Sequence, residues 1–458
     1  MTILKRKSLV ITTLLFVLFA SGYSFQKARE ERTRKRATPT IGRTILSLNG
    51  GLPFRAEGPR YAPGQVLVRF KPDIRTQLID ATLARYDTKK IKRISHLNLY
   101  QVRIPDWASV EEMAYALSQN PDVVYAGPNY RLWMLVTPND TLFRYQYALS
   151  NTGQDIPAPG SPTGKSKADI KATAGWEETK GAADTVIAII DTGIDFDHPD
   201  LKNKIISRGH DFANDDEDAT DDNGHGTFVA GVAAADTNND EGIAGVAWNC
   251  RILPVKVLDA EGSAWLDDVI DGIFWAADNG ADVINLSLGA PEPDDSLRDA
   301  LRYAHEKDVV IAAAAGNYDA PTYSWPVFYP AAYNAYCLAV AATDYNDERT
   351  SWSCFGAEVD VAAPGDSVLG TYPTYMTDLT KYLPYAWGDG TSASAPHVAG
   401  LAALIKGLKP WLTADEIMDV IRFSSDDVNS GEHSGRDDYI GYGRINMEKA
   451  LVPIKLSK

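Results

Sequence analysis

The chain has 458 residues, a length for two or three domains, and its 45% hydrophobic and 23% charged residues supply enough apolar surface for a sizeable buried core. Acidic residues outnumber basic ones 61 to 45, a formal net charge of −16 that argues against a phosphate-binding surface, so nucleic acid is not an expected partner. Three cysteines, Cys250, Cys337 and Cys354, are too few for a disulfide scaffold. Either Cys337 pairs with Cys354, or all three are small buried apolar side chains.

In chain order, Lys5, Arg6 and Lys7 precede an apolar run over 9–20, and Ala20, Ser21 and Gly22 follow it. This is the pattern of a signal peptide, here residues 1–22, and it is too short for a comfortable membrane span. The expected location is secreted or periplasmic, with membrane attachment only if the segment stays as an uncleaved anchor. Residues 23–60 are polar and basic, then rich in Gly and Pro, and read as a linker. A small α+β unit is expected over 61–135. Its strands fall at 65–70, 99–104 and 123–126, its helices at 78–86 and 110–119, and a further strand near 91–94.

From residue 138 to 455, strongly apolar runs alternate with helical patterns. The runs at 186–190, 252–258, 283–288, 309–314 and 338–342 suit parallel strands covered on both faces. Leu266, Val269, Ile270, Ile273, Phe274 and Ala277 recur at helical spacing, as do Leu297, Ala300, Leu301 and Ala304. Thr413 and Glu416 form a capping-box pattern ahead of another helix. The sum is an α/β domain with a mostly parallel sheet, where sites form at strand ends.

Three patterns sit at such junctions. An apolar strand runs into Asp191, whose carboxylate there needs a fixed donor or merely caps the next turn. His225 lies between Gly224 and Gly226, which permit a tight turn and close approach to the ring. Ser392 stands where a loop enters a small-residue helix, beside free backbone N–H groups suited to a developing oxyanion. By itself Ser392 reads more readily as an N-cap. Pro396 is near enough to the helix start that its missing N–H is expected to cost nothing.

Together, Asp191-Thr192-Gly193-Ile194-Asp195, His225-Gly226-Thr227 and Gly390-Thr391-Ser392 with Pro396-His397-Val398-Ala399-Gly400 resemble the subtilisin-like serine proteases, in their chain order Asp, His, Ser. The resemblance spans residues 138–451 and includes the closing run Gly441-Tyr442-Gly443-Arg444-Ile445-Asn446. It implies a subtilisin-like three-layer α/β domain with a mostly parallel central sheet, preceded by a small α+β, ferredoxin-like prodomain. It also implies a serine endopeptidase acting on extended or unfolded polypeptides. In that reading Ser392 is the nucleophile, His225 the general base, Asp191 its orienting partner and Asn317 an oxyanion donor. Ser287, Leu288 and Gly289 would pair with substrate as an added strand, and Ala314, Ala315 and Gly316 would wall the pocket for the side chain before the cut. Transpeptidation and an inactive scaffold are the alternatives; the first lacks a supporting feature, and the intact Asp191, His225, Ser392 and Asn317 argue against the second.

The resemblance further implies that the 61–135 unit is a propeptide acting as an intramolecular inhibitor, removed by a cut between residues 129 and 141. A monomer is expected. Calcium is the implied cofactor. One ligand set is Asp211, Asp216, Asp218 and Asp222, within an acidic run that is otherwise a solvated loop. The other is Gln146, Asp200 and Asn238 with backbone oxygens near Glu241 and Ile243. Three positions depart from the family pattern: Ala393 replaces the common methionine after the nucleophile, Phe228 replaces a histidine, and Phe328 puts a ring near the pocket floor. With no sulfur at Ala393, better peroxide tolerance is expected.

Overall fold

The structure is a computed structural model describing residues 61–94, 97–130, 137–160, 162–318, 326–376 and 384–452. The expected signal peptide and linker lie outside the described residues, as does 131–136 within the expected maturation segment. The chain divides into two compact units between Val136 and Thr137.

The smaller unit runs β1 (Tyr61–Phe70), α1 (Thr76–Arg85), β2 (Lys89–Ile94), β3 (Leu99–Arg103), α2 (Val110–Ser118) and β4 (Val123–Tyr130). Its sheet is antiparallel in the order β2-β3-β1-β4, a split β-α-β arrangement of the ferredoxin-like kind. Period-two alternation puts Val66, Val68 and Phe70 on one face, where Ile79 and Leu83 of α1 and Met113 and Leu117 of α2 cover them. Strand β1 begins earlier than its apolar run. Pro63–Gly64 forms an irregularity inside the strand, with Gly64 at φ +67° and a register shift between Tyr61 and Val66. Edge strand β2, Lys-Lys-Ile-Lys-Arg-Ile, carries charge along its length, which discourages pairing with other edges.

In the larger unit, α3 (Ala172–Glu178) precedes β5 (Val186–Asp191), β6 (His210–Asp211), α4 (His225–Ala234), β7 (Arg251–Lys256), α5 (Leu266–Asp278), β8 (Val283–Leu286), α6 (Asp295–Glu306) and β9 (Val310–Ala314). There follow β10 (Leu338–Thr343), β11 (Val361–Pro364), β12 (Val368–Thr371), β13 (Tyr385–Gly388), α7 (Thr391–Leu408), α8 (Ala414–Ser424) and α9 (Met447–Leu451). Seven parallel strands lie in the order β11-β10-β9-β8-β5-β7-β6. Every residue of β5, β8, β9 and β10 is buried, as expected for strands covered on both faces. The chain leaves β5 to one side for β7, then crosses to its other side for β8. The carboxyl end of β5 is therefore the switch point of the sheet.

Helices α5 and α6 bury one stripe each, through Val269, Ile273 and Ala276 and through Leu297, Ala300, Leu301 and Ala304. Helices α4 and α7 are buried almost all round, and small residues let them approach: a Cβ on Gly400 would stand 2.9 Å from the Ala233 carbonyl oxygen. The Thr413–Glu416 capping box is formed. Strands β6, β11, β12 and β13, of two to four residues, fall below what periodicity detects. All three cysteines are buried and free, so the pairing of Cys337 with Cys354 is not made.

Candidate active site

The site begins at the end of β5. Asp191 is its last residue and is fully buried, and its Oδ1 accepts from the Thr192 backbone N–H at 2.8 Å and from His225 Nδ1 at 2.7 Å. His225 opens α4, whose N-cap is Gly224 at φ +106°. Close approach requires glycine at 226 as well, because a Cβ there would come within 2.2 Å of the Gly193 carbonyl oxygen. Burial opposes the imidazolium of His225, but the charge and hydrogen bond of Asp191, with Asp221 adding to them, leave its pKa raised. Its side chain remains 34% exposed, so one edge of the ring faces outward.

A second buried carboxylate organises this junction. Asp221 Oδ1 accepts from Thr192 Oγ1 at 2.8 Å and from the backbone N–H groups of Asn223 and Gly224 at 3.0 and 2.8 Å. Its Oδ2 accepts from the Thr227 N–H at 2.9 Å and the Thr227 hydroxyl at 2.6 Å. Thr192 Oγ1 in turn accepts from the Gly226 N–H at 2.8 Å. Burial raises the Asp221 pKa against these donors. Sequence reasoning passed Asp221 over; its one signal was its place four residues before His225.

Ser392 is the second residue of α7, and Gly390, not Ser392, is the N-cap. The Ser392 hydroxyl donates to the Ser287 carbonyl at 3.1 Å. Pro396 lies inside the helix rather than harmlessly at its start. Asn317 Oδ1 accepts from the Thr391 N–H at 2.8 Å and the Thr391 hydroxyl at 2.9 Å. Since an N–H can only donate, this fixes the amide orientation and leaves the Asn317 NH₂ free to face an oxyanion beside the helix start.

Ser287, Leu288 and Gly289 follow β8; Ala314 ends β9, and Ala315 and Gly316 follow it. Both segments thus leave the same carboxyl edge of the sheet as Asp191. Phe328 spans them: its N–H donates to the Ala315 carbonyl at 2.9 Å, and its ring and Cβ lie 2.7 and 3.2 Å from where Cβ atoms on Gly316 and Gly289 would stand.

The two expected calcium sets behave differently. Asp211 caps Asn214, Asp216 accepts from the Asp218 N–H, Asp218 meets Arg208, and Asp222 meets the buried Lys256 at 2.6 Å. These four carboxylates do not converge; each is engaged by a local donor. Around the second set, Asp200 Oδ2 accepts from the Ile243 N–H at 2.9 Å and the Tyr385 hydroxyl at 3.0 Å, and Oδ1 accepts from Asn239 Nδ2 at 2.9 Å. Gln146 clamps both the N–H and the carbonyl of Ala244 at 2.8 Å. Asp140, which sequence reasoning missed, accepts from the Asn238 N–H at 2.9 Å. Burial is the main cause that pushes Asp140 and Asp200 each up to about 6, and for Asp200 the Asp140 charge adds to it. Glu241 is exposed, and its N–H bonds Asn239. No group of three His, Cys, Asp or Glu side chains able to hold a metal ion occurs among the described residues.

The profile of the Subtilase family matches residues 182–443, and that of the Fervidolysin N-terminal prodomain matches residues 52–129. The thermophilic serine proteinase of Bacillus sp. strain AK1 is 40% identical over 399 residues, which cover 86% of this chain and 88% of that protein. Thermitase of Thermoactinomyces vulgaris is 42% identical over 282 residues, covering 62% of this chain and 93% of its own. A solved protease structure from Pseudoalteromonas arctica is 31% identical with a TM-score of 0.58, covering 69% of this chain and all but 1% of its own. With these matches spanning the parallel sheet and its Asp–His pair, the chain belongs to the subtilase family: it is a serine-type endopeptidase with an N-terminal prodomain.

Proposed function

We propose that this subtilase is an exported endopeptidase that hydrolyses extended or unfolded polypeptides through an acyl-enzyme on Ser392. The observation that carries the reading is the 2.7 Å bond from His225 Nδ1 to the buried Asp191, at the sheet edge from which the Ser287 and Ala314 segments also emerge. That bond leaves His225 Nε2 as the proton acceptor and stabilises the cation once formed. Substrate entering as an added strand would offer an N–H to the Ser287 carbonyl. That frees the Ser392 hydroxyl to turn toward His225, lose its proton and attack the scissile carbon. The Asn317 NH₂ and the Ser392 N–H receive the oxyanion, and His225 protonates the departing amine. Loss of one such oxyanion donor costs about 10²–10³ in kcat. Phe328, across Gly289 and Gly316, shortens the pocket and favours small side chains before the cut.

The signal-peptide pattern over 1–22 supports export, and a relative 34% identical over 341 residues is named a halolysin-like extracellular serine protease, from Natrialba magadii. No helix among the described residues is long and apolar enough to cross a membrane. The prodomain acts as the inhibitor of its own chain until a cut between residues 129 and 141 releases a monomeric enzyme.

Structural calcium fits the Asp140–Asp200 region. Two carboxylates 5% and 0% exposed, each pushed by burial up to about 6 despite their hydrogen-bond donors, are groups whose ionisation a nearby cation would favour. Asp140, Asp200 and Asn238 with carbonyls of the 238–243 loop would hold it, and its charge would permit both carboxylates to ionise.

The test is to express wild type and Ser392→Ala and incubate each with denatured casein. The wild type is expected to process itself and degrade casein, and the variant to stay unprocessed and inert. Equal behaviour of the two overturns the reading.

A further inference from the structure

Pro396 is the sixth residue of α7 and has no N–H. The helical ladder would bring that N–H to the carbonyl of residue 392, four positions earlier, and the proline ring pushes the same carbonyl outward. The residue left without its ladder donor is Ser392. Another group fills the gap: the Ser287 hydroxyl donates to the Ser392 carbonyl at 2.9 Å. Asn285 in β8, fully buried, donates from Nδ2 to Ser287 Oγ at 3.0 Å. A hydroxyl that accepts from an amide directs its own proton elsewhere, here onto Ser392. The exchange is reciprocal, since Ser392 Oγ donates to the Ser287 carbonyl.

We propose that the Ser287 hydroxyl is a positioning group for the nucleophile. It holds the Ser392 backbone to the end of β8 at the carbonyl that Pro396 leaves without a ladder donor, with Asn285 orienting it. The inference rests on Ser392 being the nucleophile, and it assigns to the Ser287 side chain a task separate from substrate pairing by the Ser287 backbone. Ser287 is only 4% exposed, so its hydroxyl has no bulk-water substitute for this bond. Thr391 still holds the start of α7 to Asn317, but without the Ser287 hydroxyl the Ser392 carbonyl loses its tether to the end of β8, and the attacking oxygen wanders relative to the Asn317 amide. Wandering of the nucleophile lowers kcat; it leaves the strand-like pairing of substrate, and so KM, in place.

The proposal predicts an interaction between two positions that no catalytic scheme links. Kinetics on a soluble peptide amide would be measured for the full chain as expressed in wild type, Ser287→Ala, Pro396→Ala and the double variant. Ser287→Ala is expected to lower kcat about tenfold, the size of one lost buried hydrogen bond, with KM within about twofold. In the Pro396→Ala background the restored N–H meets the Ser392 carbonyl, so the same Ser287→Ala change is expected to cost less than about twofold. An equal loss in both backgrounds, or a loss carried by KM, overturns the proposal. Should Pro396→Ala fail to fold, Ser287→Thr, which keeps the hydroxyl, is expected to retain more than half of the wild-type kcat; a loss equal to that of Ser287→Ala overturns it. Full activity in Ser392→Ala would instead sink the nucleophile assignment, a result that none of the other variants produces.

Discussion

Two acidic regions flank the helix that carries His225, and they invert what their sequences suggest. The loop before α4 holds six aspartates between Asp211 and Asp222, yet its carboxylates spread over separate turns, and two of them end on Arg208 and Lys256. The loop after α4 carries Asp236, Asp240 and Glu241, but the buried carboxylates that meet it come from earlier in the chain: Asp140 and Asp200, sixty positions apart in sequence, bind its two ends, Asp140 at the Asn238 N–H and Asp200 at the Ile243 N–H. Charge density in a sequence measures how many carboxylates are present. A cation responds to how many are desolvated together. Asp140 and Asp200 are both nearly inaccessible and meet the same loop, whereas in the first loop Asp211 and Asp221 are buried but bound up in separate turns, and the side chains of Asp218 and Asp222 are 57% and 44% exposed.

The largest expected effect that separates the regions is chelation. A bound cation at a thousand times its Kd contributes about 4 kcal/mol, and at about 2 °C per kcal/mol removing it with EDTA should lower the unfolding midpoint by about 8 °C. Scanning calorimetry with and without EDTA reads this directly. An unchanged midpoint would remove calcium from both regions, and a drop that persists in Asp200→Asn would move it away from the second.

The next effect is pH dependence in the chelated protein. Asp140 and Asp200 have folded pKa values of about 6, above the ordinary 3.8. A raised carboxyl pKa favours the fold while the group is protonated. That contribution is complete below the unfolded pKa and is lost as pH rises from about 4 to about 6, on the order of 3 kcal/mol per group. Calcium should reverse it, so the midpoint in EDTA minus that in excess calcium should become more negative across this window. A difference that is flat with pH would break the assignment.

Smaller still is Asp222→Asn. It removes the charge partner of Lys256, whose ammonium keeps the Thr192 and Leu258 carbonyls at 3.0 and 2.7 Å. A cost of about 1–2 kcal/mol with an undiminished EDTA response is expected. Asp218→Asn, on an exposed pair with Arg208, should change stability by less than about 1 kcal/mol in urea unfolding. A lost EDTA response in either variant would return calcium to the first loop.

These regions also show what was legible in the chain. Asp191, His225 and Ser392 stood out as candidates because each sits in a short local pattern at a strand or helix boundary, and the structure puts the first two in a 2.7 Å bond. The strongly apolar runs located five strands of the parallel sheet. Asp221 was not readable, because its role consists of five hydrogen bonds to backbone and threonine groups that only a folded turn assembles. Asp140 was hidden for a related reason: nothing near it in sequence resembles a site, and its partner Asp200 arrives from another segment. Pro396 was misjudged by where the helix starts: the N-cap is Gly390, two residues before Ser392, so Pro396 is the sixth helical residue and its missing N–H falls inside the ladder.

The free cysteines set the chemical conditions this protease tolerates. Burial pushes the thiols of Cys250 and Cys354 up to about 11, and that of Cys337 higher still, so all three stay protonated and poorly nucleophilic in neutral solution. Nothing in the described fold waits on thiol oxidation, and nothing in it is undone by reduction. Dithiothreitol, which opens cross-linked proteins to digestion, should therefore soften such substrates while the enzyme's own unfolding midpoint stays where it was.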